Sequence, residues 1–172
     1  YVAKEGINAQ ISVPEHQWNK FIKLSRSNQY FKNIHINQAV EDGISFYKLK
    51  IKVKNEIVAY GIKESEVDMQ VTGDHLSSDE FNKAMDNPET LIVDMRNKYE
   101  SEVGRFEGAI LPDVETSREL LPAVSKLLNG KEDKQVLLYC TGGIRCEKAS
   151  SFLIKKGFKN VKQLKGGVIN YA

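Results

Sequence analysis

The sequence is poor in cysteine, histidine and proline. Its 172 residues include only two cysteines, three histidines and four prolines. Two cysteines placed six positions apart, Cys140 and Cys146, exclude a disulfide-rich scaffold and indicate a reducing compartment. The scattered histidines and the single cysteine pair form no metal-ligand pattern, so we expect no bound metal and no evident cofactor.

Long apolar runs, repeats and low-complexity tracts are also missing. No stretch of about 18 apolar residues predicts a membrane span, and no basic start followed by an apolar middle predicts a signal peptide. Hydrophobic residues make up 41% of the chain, enough for one ordinary domain and a smaller one. We therefore expect a cytoplasmic protein that does not associate with membranes.

The most informative segment is residues 139–146. The apolar run 136–139 predicts a buried parallel strand, and residues 147–153 predict a helix. Cys140 therefore stands where a strand ends, and Arg145 opens the next helix. The glycines between them permit a sharp turn that points N–H groups inward, forming an anion-binding nest at the positive end of the helix.

Such a nest lowers the pKa of a thiol from about 8.5, so the segment predicts a nucleophilic cysteine. The alternative is a buried structural cysteine, which is common in protein cores. Arg145 either donates to a substrate oxygen or braces the loop by pairing with a carboxylate. Cys146 has an accessory role in this interpretation, either resolving an oxidised or persulfidated Cys140 or packing beneath the helix.

The spacing between Cys140 and Arg145 indicates which group the cysteine transfers. Four loop residues separate them: Thr141, Gly142, Gly143 and Ile144. Tyrosine-phosphatase-type loops place five residues between the same partners, because they must enclose a tetrahedral phosphate. The shorter loop suits a single sulfur atom carried on the cysteine, which favours sulfur transfer through a persulfide over phosphoryl transfer.

Three further motifs accompany the loop, at residues 91–96, 104–110 and 164–168. They resemble the rhodanese family's strand ending in Asp-x-Arg, its Gly-His-Ile turn with Gly-Ala strand entry, and its closing Leu-x-Gly-Gly signature. Arg105 stands where many members carry histidine, so no role of that histidine is transferred. The resemblance implies a doubly wound α/β domain with its nucleophile at the carboxyl end of a central parallel strand.

A longer match is more specific. Residues 140–149, together with residues 5–11, resemble the bacterial rhodanese-domain tRNA uridine hydroxylases, which install 5-hydroxyuridine at the wobble position. The resemblance implies tRNA as the partner and molecular oxygen as a co-substrate. It also implies a longer full-length protein, with a strand and helix before this chain and a cysteine-rich tail after it. A sulfurtransferase using thiosulfate or a thiol donor is the alternative function.

The neighbouring strand end offers two more candidates. Asp94 and Arg96 lie at the end of the strand expected in residues 91–96 and should reach the same mouth as the cysteine loop. We interpret Asp94 as a salt-bridge partner within the loop framework rather than as a direct catalyst.

We expect three parts along the chain: a small α+β unit at 1–62, a polar linker at 63–73 and a rhodanese-like domain at 74–172. The small unit is ferredoxin-like by resemblance and lacks that sheet's first strand and helix. Its pattern predicts a strand at 7–13, a helix after Pro14, and a hairpin joining 34–40 to 46–54, with His35 packed or at the surface. In the larger domain, Ser77 or Ser78 caps a helix, and a second helix near 118–128 tolerates Pro122 only in its first turn.

Residues 46–54 alternate strictly between apolar and basic side chains, which predicts a half-buried strand. Its apolar side chains should face a core: Tyr47, Leu49, Ile51 and Val53. Its opposite face carries Lys48, Lys50, Lys52 and Lys54. Four neighbouring ammonium groups repel one another unless anions relieve them, and RNA phosphates would do so. The alternative is a solvated face, or an edge strand protected by lysines.

Overall fold

A computed structural model of the chain describes residues 1–34, 36–43 and 45–171, so His35 lies outside the described residues. The N-terminal unit opens with an antiparallel pair of short strands, β1 (Val2–Ala3) and β2 (Gly6–Ile7). The helix expected after Pro14 begins as a 3-10 turn at Glu15–Gln17 and continues as α1 (Trp18–Ser27).

The other strands predicted for this unit do not form. Residues 8–14, 36–43 and 45–52 are without strand structure, so the prediction of a long first strand and of a hairpin was wrong. Residues 46–54, which we call the lysine-rich segment, form only an isolated β-bridge, between Val53 and Val2. Its apolar side chains are exposed, Tyr47 by 91% and Leu49 by 76%, instead of facing a core. Alternation buries one face of a strand only where another element covers that face, and among the described residues none covers this one.

A four-stranded parallel sheet forms the centre of the C-terminal unit. Its strands are β3 (Asp74–Leu76), β4 (Leu91–Asp94), β5 (Gln135–Tyr139) and β6 (Asn160–Leu164). Their order is β3-β6-β5-β4, which places β5 between two neighbours. The strand predicted at 136–139 is thus confirmed as an interior strand of a parallel sheet.

Four helices accompany the sheet: α2 (Ser78–Met85), α3 (Lys98–Val103), α4 (Ser117–Leu127) and α5 (Ile144–Lys155). The predicted cap is confirmed, since Ser77 and Glu80 form a reciprocal capping box on α2. Pro122, however, lies in the second turn of α4, not the first. The helix continues through Pro122 because its apolar face, formed by Leu120, Leu121 and Val124, is buried. This burial offsets the missing backbone hydrogen bond.

Both faces of the sheet are buried, as in a doubly wound fold. On one face, Val136, Leu138 and Cys140 pack in a cluster with residues of α4 and α5. On the other face, Leu137 and Tyr139 pack with Phe81 of α2. The predicted fold class is confirmed, and the cysteine lies on the side of the sheet that α5 covers.

Residues 56–73, which we call the strap, run along α5. The hydroxyl of Ser151 accepts from the N–H of Asp68 and donates to its carbonyl, each at 2.7 Å. The hydroxyl of Ser150 accepts from the N–H of Gly73 at 2.9 Å. The helix that begins at the cysteine loop therefore packs against both the sheet and the strap.

Within the described residues, no helix has the length and apolar character needed to cross a membrane.

Candidate active site

The sulfur of Cys140 lies where β5 ends and the turn into α5 begins. Gly143, the N-cap of α5, has φ +94°, a left-handed conformation that favours glycine. This turn lets the N–H of Gly143 donate to Cys140 Sγ at 3.1 Å. The loop thus aims a backbone donor at the sulfur, as an anion-binding turn does.

The surroundings lower the pKa of Cys140 to about 6. The largest cause is a hydrogen bond from the Cys146 side chain, and burial works in the opposite direction. The positive charge of Arg145 and the N–H groups of Cys146 and Arg145 lower the pKa further. At pH 7 a pKa of about 6 corresponds to an about tenfold excess of thiolate over thiol.

Cys146 lies in the first turn of α5 and is fully buried. Burial raises its pKa well above the ordinary range, and the hydrogen bond to Cys140 raises it further. Both cysteines are free. The pair therefore shares its charge unequally, with the anion on Cys140 and the proton on Cys146.

Arg145 is held by a carboxylate that the sequence reasoning did not select. Its two terminal nitrogens donate to the two oxygens of Glu100, each at 2.7 Å. One of them also donates to the hydroxyl of Thr141 at 2.8 Å, and that hydroxyl donates to Glu100 at 2.5 Å. The loop arginine is thus braced, which is one of the two roles expected for it.

Glu100 is itself fixed by its helix. Its carboxylate accepts from the N–H of Asn97, forming a capping box at the start of α3. Burial would raise the pKa of Glu100, but the hydrogen bonds from Arg145, Thr141 and Asn97 outweigh it and lower the pKa to about 2. Because the folded pKa lies below the unfolded one, the pair contributes stability above about pH 4.5, which is lost as the pH falls toward 2.

The Gly-Gly pair after β6 packs directly on the loop. The N–H of Val168 donates to the carbonyl of Cys140 at 2.9 Å, and the N–H of Ile169 donates to that of Thr141 at 3.1 Å. A Cβ atom at Gly167 would lie only 2.4 Å from both carbonyl oxygens. This position requires glycine because the two backbones approach so closely.

Asp94 and Arg96 form the expected salt bridge, with each other. Asp94 accepts from two guanidinium nitrogens of Arg96, at 2.9 and 2.7 Å, and from the hydroxyls of Ser101 and Tyr139. Both side chains are buried, and their hydrogen-bond partners are each other, Ser101, Gly104 and Tyr139 rather than the loop. They fix the ends of β4 and β5 beneath the loop rather than reaching its mouth.

Two more residues that pack around the start of α5 were missed by the sequence reasoning. Tyr60 of the strap is almost fully buried, and its hydroxyl donates to the carbonyl of Arg145 at 3.1 Å. Burial raises the pKa of this phenol well above its ordinary value, and its electrostatic interaction with the two cysteines raises it further. Lys148, in the next turn of α5, is fully buried between carboxylates. A lysine among buried positions of an amphipathic helix was the available signal, since a buried ammonium needs an anionic partner.

The four lysines of the segment 46–54 lie in the N-terminal unit, and all four are exposed. Backbone hydrogen bonds link this segment to β1 on both sides of Val53. The ammonium of Lys54 lies 5.3 Å from the ring centre of Tyr1. The segment thus presents its positive charges to solvent.

A separate polar cluster lies on α5 beyond the loop. His75 Nε2 donates to Glu147 at 2.5 Å, and this hydrogen bond raises the pKa of His75. The buried Gln163 donates to Glu147 and to the carbonyl of Gly73. Across residues 1–34, 36–43 and 45–171, no group of three or more His, Cys, Asp or Glu side chains could hold a metal ion.

Two family models match the chain. One, described as UPF0176 acylphosphatase like domain, matches residues 1–57. The other, described as Rhodanese-like domain, matches residues 77–172, more than half of the chain. The chain belongs to the rhodanese-like domain family. The loop from Cys140 to Arg145 is the cysteine loop of its rhodanese-like domain.

Relatives named tRNA uridine(34) hydroxylase are similar over the whole chain. The one from Leptospira interrogans is 51% identical over 173 residues, and the one from Photorhabdus laumondii is 49% identical over 174. Both alignments cover 100% of this chain, but only 47% and 49% of the relatives. The resemblance read from the motifs is confirmed, and the chain spans about half the length of the curated relatives it matches.

Solved structures also include similar rhodanese-like proteins. The rhodanese-like domain protein from Staphylococcus aureus is 21% identical, with a TM-score of 0.47. The match covers 58% of this chain and 91% of that chain.

The hydrogen bond from Cys146 can be tested by comparing Cys146→Ala with Cys146→Ser. Removing the donor should raise the pH at which Cys140 is half-maximally alkylated by about 1–2 units, since a hydrogen bond to a charged group contributes about 1.5–3 kcal/mol. Serine keeps a donor and should restore most of the wild-type value, near pH 6. The measurement is the alkylation rate of the Cys140 peptide against pH by mass spectrometry. Equal midpoints in wild type and Cys146→Ala would contradict this role of Cys146.

Proposed function

We propose that this chain carries the reactive centre of an enzyme that hydroxylates C5 of the wobble uridine, position 34, in tRNA. Molecular oxygen is the co-substrate in this proposal. The observation that carries it is Cys140, held as a thiolate beside Arg145 in a chain 51% identical to a tRNA uridine(34) hydroxylase. Its place of action is the cytoplasm, where tRNA is the partner.

Within this proposal the residues of the site have separate tasks. Cys140 is the nucleophile that contacts the substrate, and the N–H of Gly143 donates to its sulfur. Arg145 supplies positive charge to the thiolate while Glu100 fixes its orientation. The buried Asp94–Arg96 pair positions the strand ends below the loop.

The lysine-rich segment is the proposed contact to RNA. Its four ammonium groups are exposed and lie within nine residues of chain, so their mutual repulsion falls when phosphates approach. Phosphate contacts of this kind bind RNA with little dependence on sequence and release counterions. The exposed ring of Tyr47, next to Lys48, offers a surface on which a base can stack.

A sulfurtransferase is the second candidate, favoured by the four-residue spacing between Cys140 and Arg145. In this reaction the Cys140 thiolate attacks the outer sulfur of thiosulfate. A new S–S bond forms at Cys140, the S–S bond of thiosulfate breaks, and sulfite leaves with the electron pair. An acceptor thiolate then takes the outer sulfur and restores Cys140.

The proposal is tested in cells from which the gene has been deleted. Complementation with the wild-type gene should restore 5-hydroxyuridine in tRNA, and Cys140→Ser should reduce it at least about a hundredfold, because the nucleophile is lost. Nucleoside analysis of total tRNA by mass spectrometry measures the 5-hydroxyuridine content in both complemented strains.

Cys146→Ser is measured in parallel, since it changes the accessory cysteine in the same way but keeps a donor to Cys140. Full 5-hydroxyuridine in Cys140→Ser cells would overturn the role of Cys140. Unmodified tRNA in wild-type cells, together with thiosulfate sulfurtransfer by the purified protein, would favour the second candidate.

The RNA contact is tested with Lys50→Gln/Lys52→Gln. Losing two phosphate contacts should weaken tRNA binding and reduce the slope of log affinity against log salt by about 0.7–0.9 per contact. Binding isotherms at several salt concentrations give this slope.

Lys126→Gln/Lys131→Gln is the control, because it removes the same charge at the end of α4. Thiosulfate sulfurtransfer at Cys140 should stay unchanged in both variants. An unaltered slope in Lys50→Gln/Lys52→Gln would show that these lysines are only a solvated surface.

A further inference from the structure

An ion cluster centred on Lys148 joins the N-terminal unit to the helix of the cysteine loop. The Lys148 side chain is fully buried, and its Nζ lies 2.6 Å from Glu5 and 2.6 Å from Glu56. A third contact, at 3.3 Å, is to the carbonyl of Val58. The three acceptors match the three hydrogens of the ammonium, so the buried charge is fully paired.

The two carboxylates also fix the backbone around them. Glu5, in the turn between β1 and β2, accepts from the N–H of Ile57 at 2.8 Å with its second oxygen. Glu56, at the start of the strap, accepts from the N–H of Gly61 at 3.1 Å. The cluster therefore holds residues 56–61 as a tight turn against α5.

Tyr60 lies inside this turn. Its ring belongs to the same buried cluster as Cys140 and Cys146, and its hydroxyl donates to the carbonyl of Arg145. The Tyr60 ring therefore forms one wall of the buried space around the two cysteines. This wall comes from the strap and not from the sheet or helices of the rhodanese-like domain. Glu56 binds both the ammonium of Lys148 and the N–H of Gly61, so the chain on either side of Tyr60 is anchored to Lys148.

We propose that the Glu5–Lys148–Glu56 cluster is a positioning device through which the N-terminal unit holds Tyr60 over the two cysteines. The N-terminal unit then acts on the reactive centre itself, by shielding Cys146 from water and reagents, in addition to any contact with RNA. The inference rests on the proposed function of Cys140 as the reacting group. The test of this inference uses no RNA, so the inference and the proposed function can fail separately.

The test is Lys148→Met in the full-length protein. Methionine has a similar length but no charge, so Glu5 and Glu56 are left partly buried without a positive partner and repel each other. The turn that carries Tyr60 should therefore lift from α5. We expect N-ethylmaleimide to label Cys146 at least tenfold faster than in wild type. Tyr60→Ala, which leaves the cluster intact but removes the wall, should give the same increase. Mass spectrometry of the Cys146 peptide measures the rate.

A double variant separates the repulsion between the two carboxylates from the loss of packing. Glu5→Gln/Lys148→Met leaves one carboxylate, Glu56, and so keeps the net charge of −1 that the wild-type cluster of two carboxylates and one ammonium carries. With the repulsion removed, its labelling rate should fall below that of Lys148→Met alone.

Phe81→Leu controls for global unfolding, because Phe81 is buried on the opposite face of the sheet. The labelling rates of Phe81→Leu and Lys148→Met are compared at urea concentrations that give both proteins the same unfolded fraction. Cys146 should be labelled more slowly in Phe81→Leu. The inference is overturned if Lys148→Met and Tyr60→Ala label like wild type, or if Phe81→Leu labels as fast as they do. Faster labelling of Lys148→Met beside a wild type that makes no 5-hydroxyuridine would overturn the proposed function and leave the positioning intact.

Discussion

A negative charge on a buried sulfur is the constraint on which the rest of this structure depends. Both cysteines are inaccessible to solvent, and a buried thiolate is stable only where donors and positive charge surround it. The N–H of Gly143, the thiol of Cys146 and the charge of Arg145 meet this need. The anion is thereby fixed on Cys140, at the carboxyl end of an interior strand.

The supports of this charge form a connected series. Arg145 keeps its place through Glu100, and Glu100 keeps its place as the cap of α3. The start of α3 is in turn tied to β4, because Ser101 donates to the buried carboxylate of Asp94. The candidate site therefore depends on a polar network beneath it as much as on the loop.

The loop could be predicted from the sequence because its conformation is set locally, by a strand, a glycine turn and a helix start. The partner of Arg145 could not be predicted, since Asp94 ends β4, Glu100 follows it six residues later, and only side-chain geometry decides between them. Lys148 pairs with Glu56 across 92 residues, a contact that no local pattern reveals. The lysine-rich segment was wrongly expected to be half-buried, because alternation specifies two faces but does not supply a covering element.

The ionisation of Cys140 is the most direct test of this account. Thiolate absorbance in the ultraviolet, measured against pH for the wild type with Cys140→Ser as the reference, isolates the titration of this one sulfur. We expect a step centred near pH 6 that is missing in Cys140→Ser. A step centred at the ordinary thiol pKa of about 8.5 would contradict the account.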